Sequence, residues 1–135
     1  MKNLFALSML IILTFSCNEE DLIPETFVNF QIQASDIGGV GQAIYTDLSY
    51  GVRGIVIYHS DIDQYIAYDR ACSYRPSDPC EVIHLDDENS PTYFEDECCD
   101  SRFLITDGTP FSGPAIIPLK RYNTSYDGVY VRVYN

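Results

Sequence analysis

Four cysteines crowd the stretch between Cys72 and Cys99, and they constrain the fold more than any other feature of the chain. Cys72 and Cys80 form a C-x7-C pair; Cys98 and Cys99 are adjacent, and residues 81–97 lie between the two pairs. The flanking segments hold no other cysteine except Cys17 near the start. The four sulfurs either bind a metal or staple loops together. Their spacing departs from that of structural zinc sites, whose cysteines come in C-x2–4-C pairs.

The flanking segments read as strands. Over Thr26–Gln33, Val28, Phe30 and Ile32 alternate with Asn29, Gln31 and Gln33, the pattern of a half-buried strand. Gly38-Gly39-Val40-Gly41 is turn chemistry. No Lys-Ser/Thr or following helix makes it a phosphate loop. Residues 42–47 suit a short strand. Gly54–His59 and Gln64–Asp69 predict a hairpin joined by a four-residue loop, Ser60–Asp63. Further strands are expected at Glu81–Leu85, Phe103–Thr106, 115–119 and 128–134. An acidic turn is expected at Asp86–Pro91 and a tight one at Asp107-Gly108. No long segment shows a helical period with caps. Short strands at even spacing predict an all-β sandwich or barrel.

Lys2 precedes an apolar run, Leu4–Phe15, that is short for a membrane span and reads as a secretory signal. Ser16-Cys17 at its end resembles a bacterial lipobox, in which cleavage leaves Cys17 diacylated and N-terminal. Asn18-Glu19-Glu20-Asp21 resembles the surface-export signal of Bacteroidetes lipoproteins. These features predict a signal peptide at 1–16, a lipidated cysteine and acidic tether at 17–24, and one domain at 25–135, large enough for a core. The expected location is the bacterial cell envelope, lipid-anchored to the outer membrane and surface-exposed in the export reading. An exported chain meets an oxidising environment. With Cys17 acylated, the remaining cysteines are even in number, the usual arithmetic for disulfides.

The formal net charge is −12, and one unit more negative without Lys2. Such a surface repels nucleic acid, and no basic patch with interleaved aromatics offsets it. No catalytic constellation is found. Ser101 follows Asp100 but has no loop histidine to act as its base, and His59 and His84 fall inside strands. The chain is therefore expected not to be an enzyme. The acidic runs Asp86-Asp87-Glu88 and Glu95-Asp96-Glu97 offer oxygen ligands for Ca2+, but in so acidic a chain they read as solvated loops.

Around the cysteines the chain resembles a Rieske domain. Tyr65-Ile66-Ala67-Tyr68-Asp69-Arg70-Ala71-Cys72 is similar to the F-x-A-x-x-x-x-C entry to that family's first metal-binding loop. Asp96-Glu97-Cys98-Cys99-Asp100-Ser101-Arg102-Phe103 is similar to its second, C-x-C-H-G-S-x-F, on Ser101 and Phe103. Asp107-Gly108, Ser112-Gly113-Pro114-Ala115 and Pro118-Leu119-Lys120-Arg121-Tyr122 resemble its closing segment. The resemblance covers about residues 50–135. It implies stacked antiparallel sheets or a small barrel with two cysteine-bearing loops. A Rieske 2Fe–2S centre takes two cysteines on one iron and two histidines on the other. In the positions so implied, Cys72 is kept, while Tyr74 replaces the first histidine, Asp96 the second cysteine and Cys99 the second histidine.

The resemblance also implies a disulfide between the loops, carried over onto Cys80 and Cys98. Cys72 and Cys99, at two former ligand positions, are then expected to close a second bridge. Neighbours in an extended segment point to opposite sides, so Cys98 and Cys99 take separate partners. Each bridge should contribute about 3 kcal/mol in the loop-entropy model. The expected protein has lost its cluster, binds no cofactor, and is a disulfide-stapled scaffold for an envelope protein partner. Tyr74, Arg75 and Pro76 form its interaction tip. Two alternatives stay open. One is an electron-transfer protein holding a 2Fe–2S cluster on Cys72, Asp96, Cys98 and Cys99. The other is a surface module that binds carbohydrate or peptide through its tyrosines.

Overall fold

The computed structural model describes residues 22–135. The expectations for the signal peptide, Cys17 and its acidic run fall outside the described residues. Two antiparallel sheets account for almost all regular structure. One has six strands: β1 (Asn29–Gln33), β2 (Ala43–Tyr45), β3 (Ile55–Asp61), β4 (Gln64–Asp69), β9 (Arg121–Tyr126) and β10 (Tyr130–Tyr134). Their spatial order is β1-β10-β9-β4-β3-β2. The other has four strands in sequence order: β5 (His84–Leu85), β6 (Tyr93–Asp96), β7 (Ser101–Leu104) and β8 (Pro110–Ser112). A single helical turn, α1 (Ala34–Ile37), ends at Gly38 with φ 95°.

Strands β3 and β4 read as nearly continuous apolar runs because both of their faces are buried. Ile55, Ile57, Tyr65 and Ala67 face one core, closed by Val28, Ile37, Tyr122, Val131 and Val133. The intervening Val56, Ile66 and Tyr68 face a second core, shared with Ile83, Leu85, Phe94, Phe103 and Ile105 of the four-stranded side. Each large side chain buried there contributes about 1.5–3 kcal/mol. The second core fixes one sheet against the other, and the first cysteine loop runs from β4 to β5 and the second from β6 to β7, both beside this core.

Several expected elements change: the strand expected at Glu81–Leu85 shortens to His84–Leu85, and that expected at Phe103–Thr106 shifts to Ser101–Leu104. The hairpin loop shrinks to Ile62-Asp63, because β3 continues to Asp61 past an irregularity after His59. Asp63 adopts φ 57°, a left-handed conformation that Asp tolerates better than most residues. Residues 115–119 are not a strand: Pro114 precedes the segment, Pro118 lies within it, and neither has the donor a ladder needs. Ala115 and Leu119 anchor it to the core instead. The strand lies just beyond, at β9, which pairs with β10 on one side and β4 on the other. Its sequence is mostly polar and buries Tyr122 alone, so apolar alternation gives no sign of it.

Asp69 ends β4 and is fully buried. Its carboxylate accepts hydrogen bonds from the N–H groups of Val52 (2.7 Å), Arg53 (3.2 Å) and Ala71 (2.9 Å), and from the Tyr122 hydroxyl (2.8 Å). Four donors replace the water it loses. This knot joins the β2–β3 loop, β4, β9 and the start of the first cysteine loop. Tyr122→Phe removes one donor and should cost about 1.5–3 kcal/mol in urea unfolding with the fold retained. Asp69→Ala leaves the buried Ala71 N–H and the part-buried Val52 and Arg53 N–H groups without their acceptor and should cost distinctly more. Equal losses for the two variants would show that the backbone donors find other partners.

Candidate metal centre

The first cysteine loop closes on itself. Ala71 and Val82 form a β-bridge, the Cys72 N–H donates to the Glu81 carbonyl (3.1 Å), and the Ile83 N–H donates to the Arg70 carbonyl (2.8 Å). The second loop is the tight connection from β6 to β7. Asp96 pairs with Ser101, the Asp100 N–H donates to the Asp96 carbonyl (2.8 Å), and Asp100 has φ 59°. A disulfide joins Cys80 to Cys98, with their Cα atoms 5.8 Å apart. The staple between the loops is thus present as the resemblance implied. Gly113 seats the closing segment against the second loop: its φ is +86°, and a Cβ there would run into Ser101 Cα and the Asp100 carbonyl. This close approach lets the Ala115 N–H reach Ser101 Oγ at 3.1 Å.

Beside the staple, four acidic side chains converge. One donor atom from each of Cys72, Glu81, Asp96 and Cys99 lies within 4.8 Å of all the others. Strand periodicity drives the carboxylates inward. From 81 to 85 the chain buries Glu81, Ile83 and Leu85 and turns Val82 and His84 outward; from 93 to 96 it buries Phe94 and Asp96. The two-residue period that fills the core with apolar side chains therefore carries Glu81 and Asp96 in with them. Cys72 and Glu81 have no solvent exposure and Asp96 has 1%. Cys99 is half-buried.

Each carboxylate is half satisfied. Oε1 of Glu81 accepts two bonds from the Arg75 guanidinium, at 2.7 and 3.1 Å. Oδ1 of Asp96 accepts the Cys98 N–H at 2.7 Å. Oε2 of Glu81 and Oδ2 of Asp96 are buried with no hydrogen-bond partner among the described residues; what the two carboxylates face is the rest of the ring. The Cys99 thiol donates to Ser101 Oγ at 3.0 Å. Burial pushes both thiols up from their ordinary range. Burial also raises the Asp96 carboxyl, and Glu81 beside it adds to the rise. Glu81 goes the other way: burial raises it, but its contacts with Cys99, Asp96 and Arg75 outweigh burial and hold it low.

The structure redistributes the expected site residues. Cys72, Asp96 and Cys99 meet in the ring, but Cys98 is excluded because its sulfur is bonded to Cys80. Glu81 joins them instead. It follows a bridged cysteine and precedes the alternation Val82-Ile83-His84-Leu85, a signal that places it on the buried face. The expected Cys72–Cys99 bridge is not formed. The two Sγ atoms are 3.8 Å apart, each turned into the ring beside a carboxylate. Tyr74 stands outside the ring and is 39% exposed. The interaction tip is also revised: Arg75 is held by Glu81, and Pro76 is buried within a turn closed by the Asp78 N–H and the Arg75 carbonyl (2.9 Å). Neither histidine contributes. His59 lies against Tyr65 and bonds the Gly38 carbonyl, and His84 contacts Arg70. The first acidic run is spent on its own turn, where the Asp86 carboxylate holds Thr92 and Tyr93 and the Asp87 carboxylate holds Asn89 and Ser90. The second is divided: Glu95 pairs with Arg102, Asp96 points into the ring and Glu97 is exposed.

No protein-family model matches the chain, and no curated protein matches it in sequence. Solved structures share its fold. The ferredoxin of carbazole 1,9a-dioxygenase from Nocardioides aromaticivorans IC177 is 20% identical with a TM-score of 0.53, over 82% of this chain and 98% of that one. The Sphingomonas yanoikuyae B1 ferredoxin is 17% identical with a TM-score of 0.52, over 83% and 99%. The chain therefore has a Rieske-like fold, the architecture of Rieske-type ferredoxins. The ring is not the donor set of a Rieske centre: it has two carboxylates and no imidazole.

Unreduced, denatured protein should titrate two thiols apart from Cys17, those of Cys72 and Cys99; a count of zero would show the second bridge to be closed in solution. Replacing Cys80 and Cys98 together by Ser should cost about 3 kcal/mol in denaturant unfolding, and a cost below about 1 kcal/mol would show that the loops hold their places without the staple.

Proposed function

We propose that this is an exported, lipid-anchored envelope protein whose Rieske-like fold carries no 2Fe–2S cluster. Its stapled loops serve as a binding site. The donor ring is the observation that supports this reading. A Rieske centre divides thiolates and imidazoles between two irons. Here no imidazole enters, Cys98 is committed to its bridge, and all four donors lie within 4.8 Å of one another. Two irons with bridging sulfides would hold the ligand pairs further apart. The envelope location rests on the sequence of Lys2, the apolar run and Ser16-Cys17. The reading is non-enzymatic, since Ser101 and the two ring thiols have no histidine base beside them. Tyr74, exposed at the loop end, is the residue through which an envelope protein would dock.

The likeness to two ferredoxins favours a second reading, electron transfer by a cluster on Cys72, Cys99 and the two carboxylates. Metal and sulfide analysis separates the two. Protein matured in an oxidising compartment should be colourless and free of iron and acid-labile sulfide. A brown preparation with visible charge-transfer absorption, about two irons and about two sulfides per chain would establish the second reading and overturn the first.

A further inference from the structure

We infer that Cys72, Glu81, Asp96 and Cys99 hold a single divalent metal ion of the zinc class. This inference rests on the reading that the fold carries no 2Fe–2S cluster, and adds what occupies the cluster's place. Three observations carry it. The first is the pair of orphaned oxygens. Oε2 of Glu81 and Oδ2 of Asp96 belong to side chains at most 1% exposed and, among the described residues, find no hydrogen-bond partner outside the ring. A buried carboxylate oxygen left this way is costly unless a cation meets it.

The second is the spacing of the donors. With metal–sulfur bonds of about 2.3 Å, two thiolates on one tetrahedral ion lie about 3.8 Å apart. The Cys72 and Cys99 sulfurs are 3.8 Å apart. The Cys80–Cys98 pair of the same two loops has closed into a bridge, so loop geometry as such does not keep sulfurs at ligand distance.

The third is the surrounding shell. The second oxygen of each carboxylate is fixed from outside, by Arg75 on Glu81 and by the Cys98 N–H on Asp96. The Cys99 sulfur is placed by Ser101 Oγ, itself held by the Ala115 N–H. Outer partners of this kind orient first-row metal ligands and leave the free atom aimed at the ion.

The donor chemistry selects the ion. Calcium and magnesium take six or more oxygens, and copper(I) prefers all-sulfur or thioether surroundings. Two thiolates with two carboxylates suit zinc, which binds both donor types in tetrahedral sites. The cysteine-only spacing rule fails to flag the site because half of its ligands are not cysteines. Four protein ligands leave no open position, so the ion is structural and not catalytic.

The mature chain, stripped with chelator under anaerobic conditions, should bind one Co2+ with the visible bands of tetrahedral cobalt and a sulfur-to-cobalt charge-transfer band. Zn2+ should displace it stoichiometrically and raise the melting temperature. Cys99→Ser should halve the charge-transfer intensity. Glu81→Gln should weaken zinc binding by at least about tenfold, while Tyr74→Ala should leave it unchanged. Folded, stripped wild-type protein that binds neither ion, or binds cobalt without the charge-transfer band, overturns the inference. So does a Cys72–Cys99 disulfide in unreduced protein matured with zinc present. Should Glu81→Gln fail to fold, the wild-type cobalt spectrum decides. Iron with sulfide in the same sample sinks the reading beneath; absence of iron, zinc and cobalt together sinks this inference alone.

Discussion

The Asp69 carboxylate is the interaction on which the arrangement depends. It sits at the end of a core strand and is satisfied by three backbone amides and a tyrosine hydroxyl. Its grip on the Ala71 N–H sets where the chain leaves β4. From there the order propagates: Ala71 bridges Val82, Cys72 bonds the Glu81 carbonyl, and the two residues thereby brought level become two of the four members of the ring. Tyr122 reaches the same carboxylate from the neighbouring strand β9, which is thereby tied to the same point. A sheet built by backbone pairing alone could slide at its edge; a buried charge with four fixed donors cannot.

The β3–β4 hairpin was legible from near-continuous apolar runs, because both faces of these strands are buried, and β10 from the two-residue alternation of a strand buried on one face. β9 was not, since its membership comes from main-chain pairing on both sides and its polar residues face solvent. Residues 115–119 misled in the opposite sense: Ile116 and Ile117 look like a strand, but the prolines on either side remove the donors, and Ile116 ends up exposed. The site was half legible. Family-like positions pointed to Cys72, Asp96, Cys99 and the Cys80–Cys98 staple. Glu81 was invisible to a search restricted to old ligand positions, although the alternation from Glu81 to Leu85 places it inward. Pro76 shows the limit of reading a loop tip from residue types, because a turn that folds back on itself buries what composition suggests is exposed.

The same strand period that buries phenylalanines here buries acids, and this is the physical oddity of the site. Two carboxylates and two thiols share a pocket in which, among the described residues, Arg75 is the one cation in contact, and it reaches one of the four. A chain with a net charge of −12 has no shortage of surface for its acidic residues. Two of them are nonetheless buried, with one oxygen of each anchored and the other facing the ring.

The Cys80–Cys98 bridge has a consequence for how such a site changes over generations. Where two loops are held together only by their shared cofactor, losing one ligand releases both loops, and every altered ligand is punished as a folding defect. Here a covalent link fixes the loops independently of what lies between them. A substitution in the ring then forfeits its own contacts and burial but does not by itself release the loops. The loops therefore keep their spacing whichever side chains face one another across the ring.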